Sequence, residues 1–296
     1  MNMNVLVIGS TGLLGQALIC EIEKRGMEAI GIARSGADFS CDIADDQALK
    51  KIILSTAPQV IINCAAIVSL TECEVNPGYA YLVNARPASV ISEIAAKNEI
   101  YFVQISTDHF YTDDYNSKHR EEDPIRLLNE YARTKYAAEK FALTCPNSLV
   151  VRTNIVGFRN KAEKPTFVEW AIQNIENGSH MTLFEDYFTS SICVTQFSSA
   201  LFDIIEKKHT GILNLASSEV TSKKTFILTL AKRMGYELTN VNVGSILNAC
   251  GNVVRAESNG LDVEVAEGIL GYKLPAFDDV ITRILEEYEG GVKTEV

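Results

Sequence analysis

Four apolar residues, Val5-Leu6-Val7-Ile8, run directly into Gly9-Ser10-Thr11-Gly12-Leu13-Leu14-Gly15, and a helical periodicity follows from Leu14 to Arg25. A run that is apolar at every position reads as a strand buried on both faces, and such strands belong to parallel sheets covered by helices. The glycines permit a tight turn and a close backbone approach. The opening turn of the helix then presents unpaired N–H groups and the positive end of its dipole, an arrangement that suits a pyrophosphate. Glycines also serve ordinary strand-to-helix turns, so the order of the surrounding elements has to decide. In that order Gly9, Thr11, Gly12, Leu13, Leu14 and Gly15 form the candidate phosphate loop of a dinucleotide cofactor.

The order is the expected one. Apolar runs at Ala29–Ala33, Val60–Cys64, Tyr101–Ile105 and Leu149–Arg152 alternate with helical stretches at Asp46–Ser55, Gly78–Lys97 and Asn129–Thr144, the last stopped by Pro146. Repeated βαβ units predict an α/β fold, a Rossmann-type doubly wound parallel sheet. Beyond about residue 155 the alternation breaks down. Residues 1–157 are expected to form the dinucleotide-binding domain and 158–296 mainly a smaller substrate-binding lobe. Segments from about 190 to 216, Ile192–Lys207 and Gly211–Ala216, are expected to return to the sheet. Helices are predicted at Thr166–Glu176, Lys223–Met234 and Asp278–Tyr288.

Charge narrows the partners. A formal net charge of -11 lacks the clustered Lys and Arg that neutralise a polyanion, so nucleic acid is not an expected partner. No run approaches the ~20 apolar residues of a membrane span. Seven cysteines without a CxxC pair fit reduced thiols better than a disulfide framework or a zinc site, and neither a metal nor a membrane is expected. The expected location is the cytoplasm.

The fourth apolar run ends in Ser106-Thr107-Asp108, placing small hydroxyls at the carboxyl edge of the sheet, where ligands of open α/β folds lie. Further on, Tyr131 and Lys135 stand at i and i+4, on one helix face. A tyrosine packed on a lysine stem is the plain reading of that pair in isolation. A free phenol holds its proton at a pKa near ~10, and a neighbouring ammonium favours the phenolate, which makes the pair suited to proton transfer near neutral pH.

The glycine spacing, GxxGxxG, together with the strand end and the Tyr-x-x-x-Lys helix, resembles the extended short-chain dehydrogenases. The resemblance implies catalysis by Thr107, Tyr131 and Lys135, with Tyr131 as proton donor and Thr107 on the substrate oxygen; Tyr131 and Lys135 also count among the cofactor contacts, Lys135 on the nicotinamide ribose. Cys41-Asp42-Ile43 is similar to the pair that borders adenine in that family, and Asn63-Cys64-Ala65-Ala66 to its Asn-Ala-Ala, which adds Asp42, Ile43, Cys64, Ala65 and Ala66 to the cofactor contacts. At the second strand's end, Arg34 and Ser35 stand where an enzyme selective for NAD places a carboxylate, so NADPH is expected in preference to NADH. Asp38 is the nearby residue that could instead serve NAD.

Ser106-Thr107-Asp108, Glu121-Glu122-Asp123-Pro124, Val151-Arg152-Thr153 and the stretch Arg255 to Asp262 resemble more narrowly the dTDP-4-dehydrorhamnose reductase family of sugar-nucleotide reductases. That implies a nucleotide-linked 4-keto-6-deoxy sugar as substrate, contacted by Ser106, Thr107, His109 and Arg255. Arg255 would meet the diphosphate or else be a surface arginine, and His109 would reach the pocket or else be packed. Ile155, Ala256, Ala132 and Val68 depart from that family's pattern. Two alternatives stay open: a non-catalytic NADP-binding subunit similar to the methionine adenosyltransferase β subunit, and a sugar-nucleotide epimerase. A homodimer is a further option.

Overall fold

A computed structural model of the chain describes residues 3–161, 163–249 and 253–291. The chain divides into two compact units. The first holds the described residues up to Thr107, Leu127–Arg152 and Ser198–Leu213; the second holds Asp108–Arg126, Thr153–Phe197 and the described residues from Asn214 onward.

The first unit is built on a seven-stranded sheet, in the order Gly211–Asn214, Ser148–Arg152, Tyr101–Ile105, Val60–Asn63, Asn4–Ile8, Glu28–Ala33, Phe39–Ser40. Every pairing from Ser148–Arg152 across to Phe39–Ser40 is parallel. The strand Asn4–Ile8 is flanked by Val60–Asn63 on one side and Glu28–Ala33 on the other, so the strand order reverses at its carboxyl end. That reversal opens a crevice where open α/β sheets bind ligands. Leu6, Ile8, Ile32, Ile61 and Phe102 are fully buried, as strands covered on both faces require.

The stretch Gly78–Lys97, expected as one helix, is two: Pro77–Asn84 and Arg86–Lys97. Pro87 lies in the first turn of the second, where its missing N–H is tolerated; inside one continuous helix its ring would clash with the carbonyl four residues earlier. A helix at Leu70–Val75, capped by the Ser69 side chain, had no expectation.

The second unit packs helices against small sheets. Ile155–Val156 pairs with Ile192–Cys193, Met181–Phe184 with Val241–Gly244, and Phe188–Thr189 lies between Thr221–Ser222 and Ser258–Asn259. The helix Phe167–Glu176 opens on a capping box in which Thr166 and Glu169 satisfy each other's backbone N–H. Its Val168 and Ile172 join Phe226, Leu230, Ile281 and Ile284 in a second core. Relative to a division at residue 157, the segments 108–126 and 153–157 fall in this unit and only 198–213 rejoin the first. The 108–126 segment is held by its own unit's backbone: Ser258 N–H donates to Tyr111 and His119 N–H to Gly260.

Six cysteines are free thiols; Cys250 lies outside the described residues. Among the described residues no helix is long and apolar enough to cross a membrane, and no cluster of three or more His, Cys, Asp or Glu could hold a metal ion.

Candidate active site

The glycine loop sits on the first strand's end. Gly9 adopts φ +87°, and its N–H and that of Ser10 both donate to the Ile32 carbonyl at 2.8 and 3.1 Å, which turns the chain across the neighbouring strand. A Cβ on Gly9 would lie 2.9 Å from the Ala65 nitrogen, and one on Gly15 would lie 2.1 Å from the Gly9 carbonyl oxygen. Neither position has room for a side chain. The helix Leu13–Lys24 starts from Gly12 without any side-chain cap, so its first N–H groups keep their capacity for an anion. Leu14 is buried, so only its backbone remains for that role; Thr11 and Leu13 are partly exposed. This cradle fits the pyrophosphate of a dinucleotide.

At the end of the second strand Arg34 and Ser35 are exposed, and no ion pair among the described residues includes Arg34. Asp38 is engaged: its carboxylate accepts the Gly31 N–H at 2.7 Å. Asp42 accepts the Ala44 N–H at 3.0 Å and Ile43 is buried beside it.

The end of the strand Val60–Asn63 meets the glycine loop. The Cys64 N–H donates to Ile8 at 3.0 Å, and burial pushes the Cys64 thiol up to about 12, which leaves it a neutral packing group. Beneath, the Asn63 amide donates to Gln104 at 2.9 Å. Asn84, which no sequence signal had marked, holds the following loop in place. It accepts the Ile67 N–H at 2.7 Å and donates to the Ile67 carbonyl and to the Thr134 hydroxyl, both from a buried position.

Thr134 belongs to the helix Glu130–Ala142, which carries Tyr131 and Lys135 and is capped by the Asn129 side chain. The Lys135 ammonium donates to the Ile105 carbonyl at 2.6 Å, against the strand end that continues into Ser106 and Thr107. Burial pushes Lys135 down to about 8, opposed by the charge of Glu139, so the group keeps its proton at neutral pH. Tyr131, four residues away, is partly exposed on the same helix.

Ser106 is engaged by the same helix. Expected as a substrate contact, its hydroxyl donates to Glu139 at 2.6 Å within the interior. Glu139 also receives Arg152 through Nε at 3.0 Å and Nη2 at 2.9 Å. The charged pair is fully buried, so its members satisfy one another and Ser106 braces the strand end from within. Thr107, 5% exposed, remains as the hydroxyl of that segment.

His109 and Arg255 belong to the second unit. His109 is buried; burial first and the Arg255 charge second push it down to about 4, leaving a neutral imidazole at neutral pH. The Arg255 Nε is buried and has no hydrogen-bond partner among the described residues, which leaves a donor for a bound acceptor.

A family model described as the RmlD substrate binding domain matches residues 3–289. A probable low-salt glycan biosynthesis reductase of Haloferax volcanii is 24% identical over 286 residues, covering 94% of this chain and 95% of that one. Methionine adenosyltransferase 2 subunit beta of Bos taurus is 33% identical over 145 residues, 48% of this chain and 43% of that one. Among solved structures, a dTDP-4-dehydrorhamnose reductase of Bacillus anthracis in complex with NADP superposes with a TM-score of 0.88 at 20% identity, over 97% of this chain and 100% of that one.

Proposed function

The chain belongs to the RmlD substrate binding domain family, and on that premise we propose that it is an NAD(P)H-dependent reductase of a nucleotide-linked 4-keto-6-deoxy sugar. The observation that carries this reading is the seating of Lys135: a protonated ammonium on the Ile105 carbonyl, one helical turn from Tyr131, in the unit that also holds the glycine cradle.

The dinucleotide, when bound, supplies a hydride to the keto carbon. Gly9, Gly12 and Gly15 bring the backbone close enough to hold its pyrophosphate, and Cys64, Ala65 and Ala66 border it where the first and fourth strands end. Tyr131 donates its phenolic proton to the substrate oxygen, and Thr107 hydrogen-bonds the same oxygen. Lys135 favours the phenolate that results and binds the nicotinamide ribose. Arg255 offers its buried Nε–H, without a partner among the described residues, to the substrate diphosphate. NADPH is the preferred reductant, because Arg34 is exposed and has no ion-pair partner among the described residues where a 2′-phosphate would sit, while Asp38 is tied to Gly31.

The test is incubation of the purified chain with NADPH or NADH and a panel of 4-keto nucleotide sugars, following absorbance and product. Cofactor oxidation with formation of the reduced sugar is expected. The similarity to a methionine adenosyltransferase subunit favours a second reading, a cofactor-binding partner protein. Tight NADPH binding without turnover on any keto sugar would support that reading against the first.

A further inference from the structure

The second unit buries an ammonium that the chemistry above does not use. Lys223 is 9% exposed and stands at the first position of the helix Lys223–Arg233, where the dipole disfavours a cation. Its Nζ lies 4.3 Å from the centre of the Phe167 ring, 5.6 Å from Phe226 and 6.0 Å from Tyr187. Burial pushes it down to about 8, opposed by the charge of Asp108, so it is still charged at neutral pH. A methionine would fill the same aromatic surroundings without a buried charge.

The partners of Lys223 form a directed chain. Its Nζ donates to the Ser191 hydroxyl at 3.2 Å, Ser191 donates to the Asn154 amide oxygen at 2.7 Å, and the Asn154 NH₂ donates to the Asp108 carboxylate at 2.8 Å. The Thr189 hydroxyl lies 2.9 Å from that of Ser191. An ammonium can only donate, and this sets the polarity of everything beyond it. With Lys223 behind it, the Ser191 proton points to Asn154, and Asn154 must then turn its NH₂ toward Asp108. Asp108 follows Thr107 in the chain, and its carbonyl accepts the Phe110 N–H at 2.6 Å, closing the turn that carries His109. That turn carries His109, on which the Arg255 charge acts, and the aromatic surround of Lys223 includes the Tyr187 phenol.

We propose that Lys223 is a positioning residue: through Ser191 and Asn154 it orients the Asp108 carboxylate and so fixes the Asp108–Phe110 turn for substrate recognition. The link to substrate rests on the reductase reading; the relay does not.

The test uses the full chain as Lys223→Met, Lys223→Arg, Ser191→Ala and Asp108→Asn variants. With lysine labelled at its ε-carbon, the Lys223 resonance is assigned by its loss in Lys223→Met and followed against pH. It should titrate near 8 in the parent and at lower pH in Asp108→Asn. In turnover with NADPH, Lys223→Met and Ser191→Ala should each raise KM for the keto sugar about tenfold, the scale of one charge-assisted hydrogen bond. Their kcat and NADPH Kd should stay near the parent values, and Lys223→Arg should restore part of KM. Should Lys223→Met not fold, Ser191→Ala carries the same comparison. An unmoved Lys223 titration in Asp108→Asn, or a parental KM in Ser191→Ala, would overturn the proposal. A parent protein inactive on every keto sugar would sink the reductase reading alone, and the titration would still decide the relay.

Discussion

The Ser106 hydroxyl and the Glu139 carboxylate meet at 2.6 Å inside the first unit, and together with the Lys135 contact to Ile105 this joins the strand end that leads into Thr107 to the helix carrying Tyr131 and Lys135. Arg152, bidentate on the same carboxylate from the next strand, completes the brace. A buried charge left without its partner is costly, so Glu139→Leu, which strands Arg152, should lower unfolding stability by about 3–5 kcal/mol. Ser106→Ala should lose only about 1–3 kcal/mol, as expected for a bond to a charged acceptor. Urea unfolding of both variants measures the difference, and equal losses would show that the ion pair is not the dominant partner.

Tyr131→Phe removes the proposed proton donor and keeps the ring. Turnover should fall by roughly 10²–10⁴, with NADPH affinity and melting temperature unchanged. Parental kcat in this variant would exclude Tyr131 as the acid.

The alkaline limb of the rate profile should report Lys135. The group is charged below about 8 and loses its proton above it, so kcat should be level below that pH and decline beyond it. Glu139 acts to raise the Lys135 value, so Glu139→Gln should move the decline to lower pH. A limb that stays put in Glu139→Gln would assign it to another group.

Arg34→Ala should weaken NADPH binding by roughly ten- to a hundredfold, the range of a charge-assisted contact to phosphate, and leave NADH nearly unaffected. Fluorescence titration of both reduced cofactors settles the matter. Equal or tighter NADH binding by the parent protein would refute the preference.

His109 bears on acid stability. Its folded value is about 4 against 6.5 for an ordinary imidazole, so between those pH values the unfolded chain binds the extra proton. Stability is therefore fully present above pH 6.5 and falls as the pH drops toward 4, by up to roughly 3 kcal/mol. His109→Asn should flatten that slope relative to the parent. Chemical denaturation at pH 7 and pH 5 compares the two, and parallel losses would assign the acid sensitivity elsewhere.

Much of the first unit was legible in the chain itself. Strands buried on both faces must be apolar throughout, and a strand turning at once into a helix needs residues without a Cβ where Gly9 meets Ala65 and Gly15 meets Gly9. The strand assignments, the glycine cradle and the shared face of Tyr131 and Lys135 all follow from such local rules. The break before Arg86–Lys97 was missed although Pro87 was visible, because helical periodicity continues across it.

What periodicity and spacing determined was the α/β class, the parallel sheet and the helix that pairs Tyr131 with Lys135, because these depend on dihedrals and side-chain repeats within a few residues. Partnerships were decided only in three dimensions. Ser106 carries a hydroxyl in either setting, and only the packing of its strand against Glu139 turned it inward. Lys223 reads in the chain as an ordinary first-turn lysine; that it is buried among three rings and linked through Ser191 and Asn154 to Asp108 depends on segments far apart in sequence. Such contacts leave no repeat in the sequence, since a buried polar group is satisfied by whichever residue the fold brings near it.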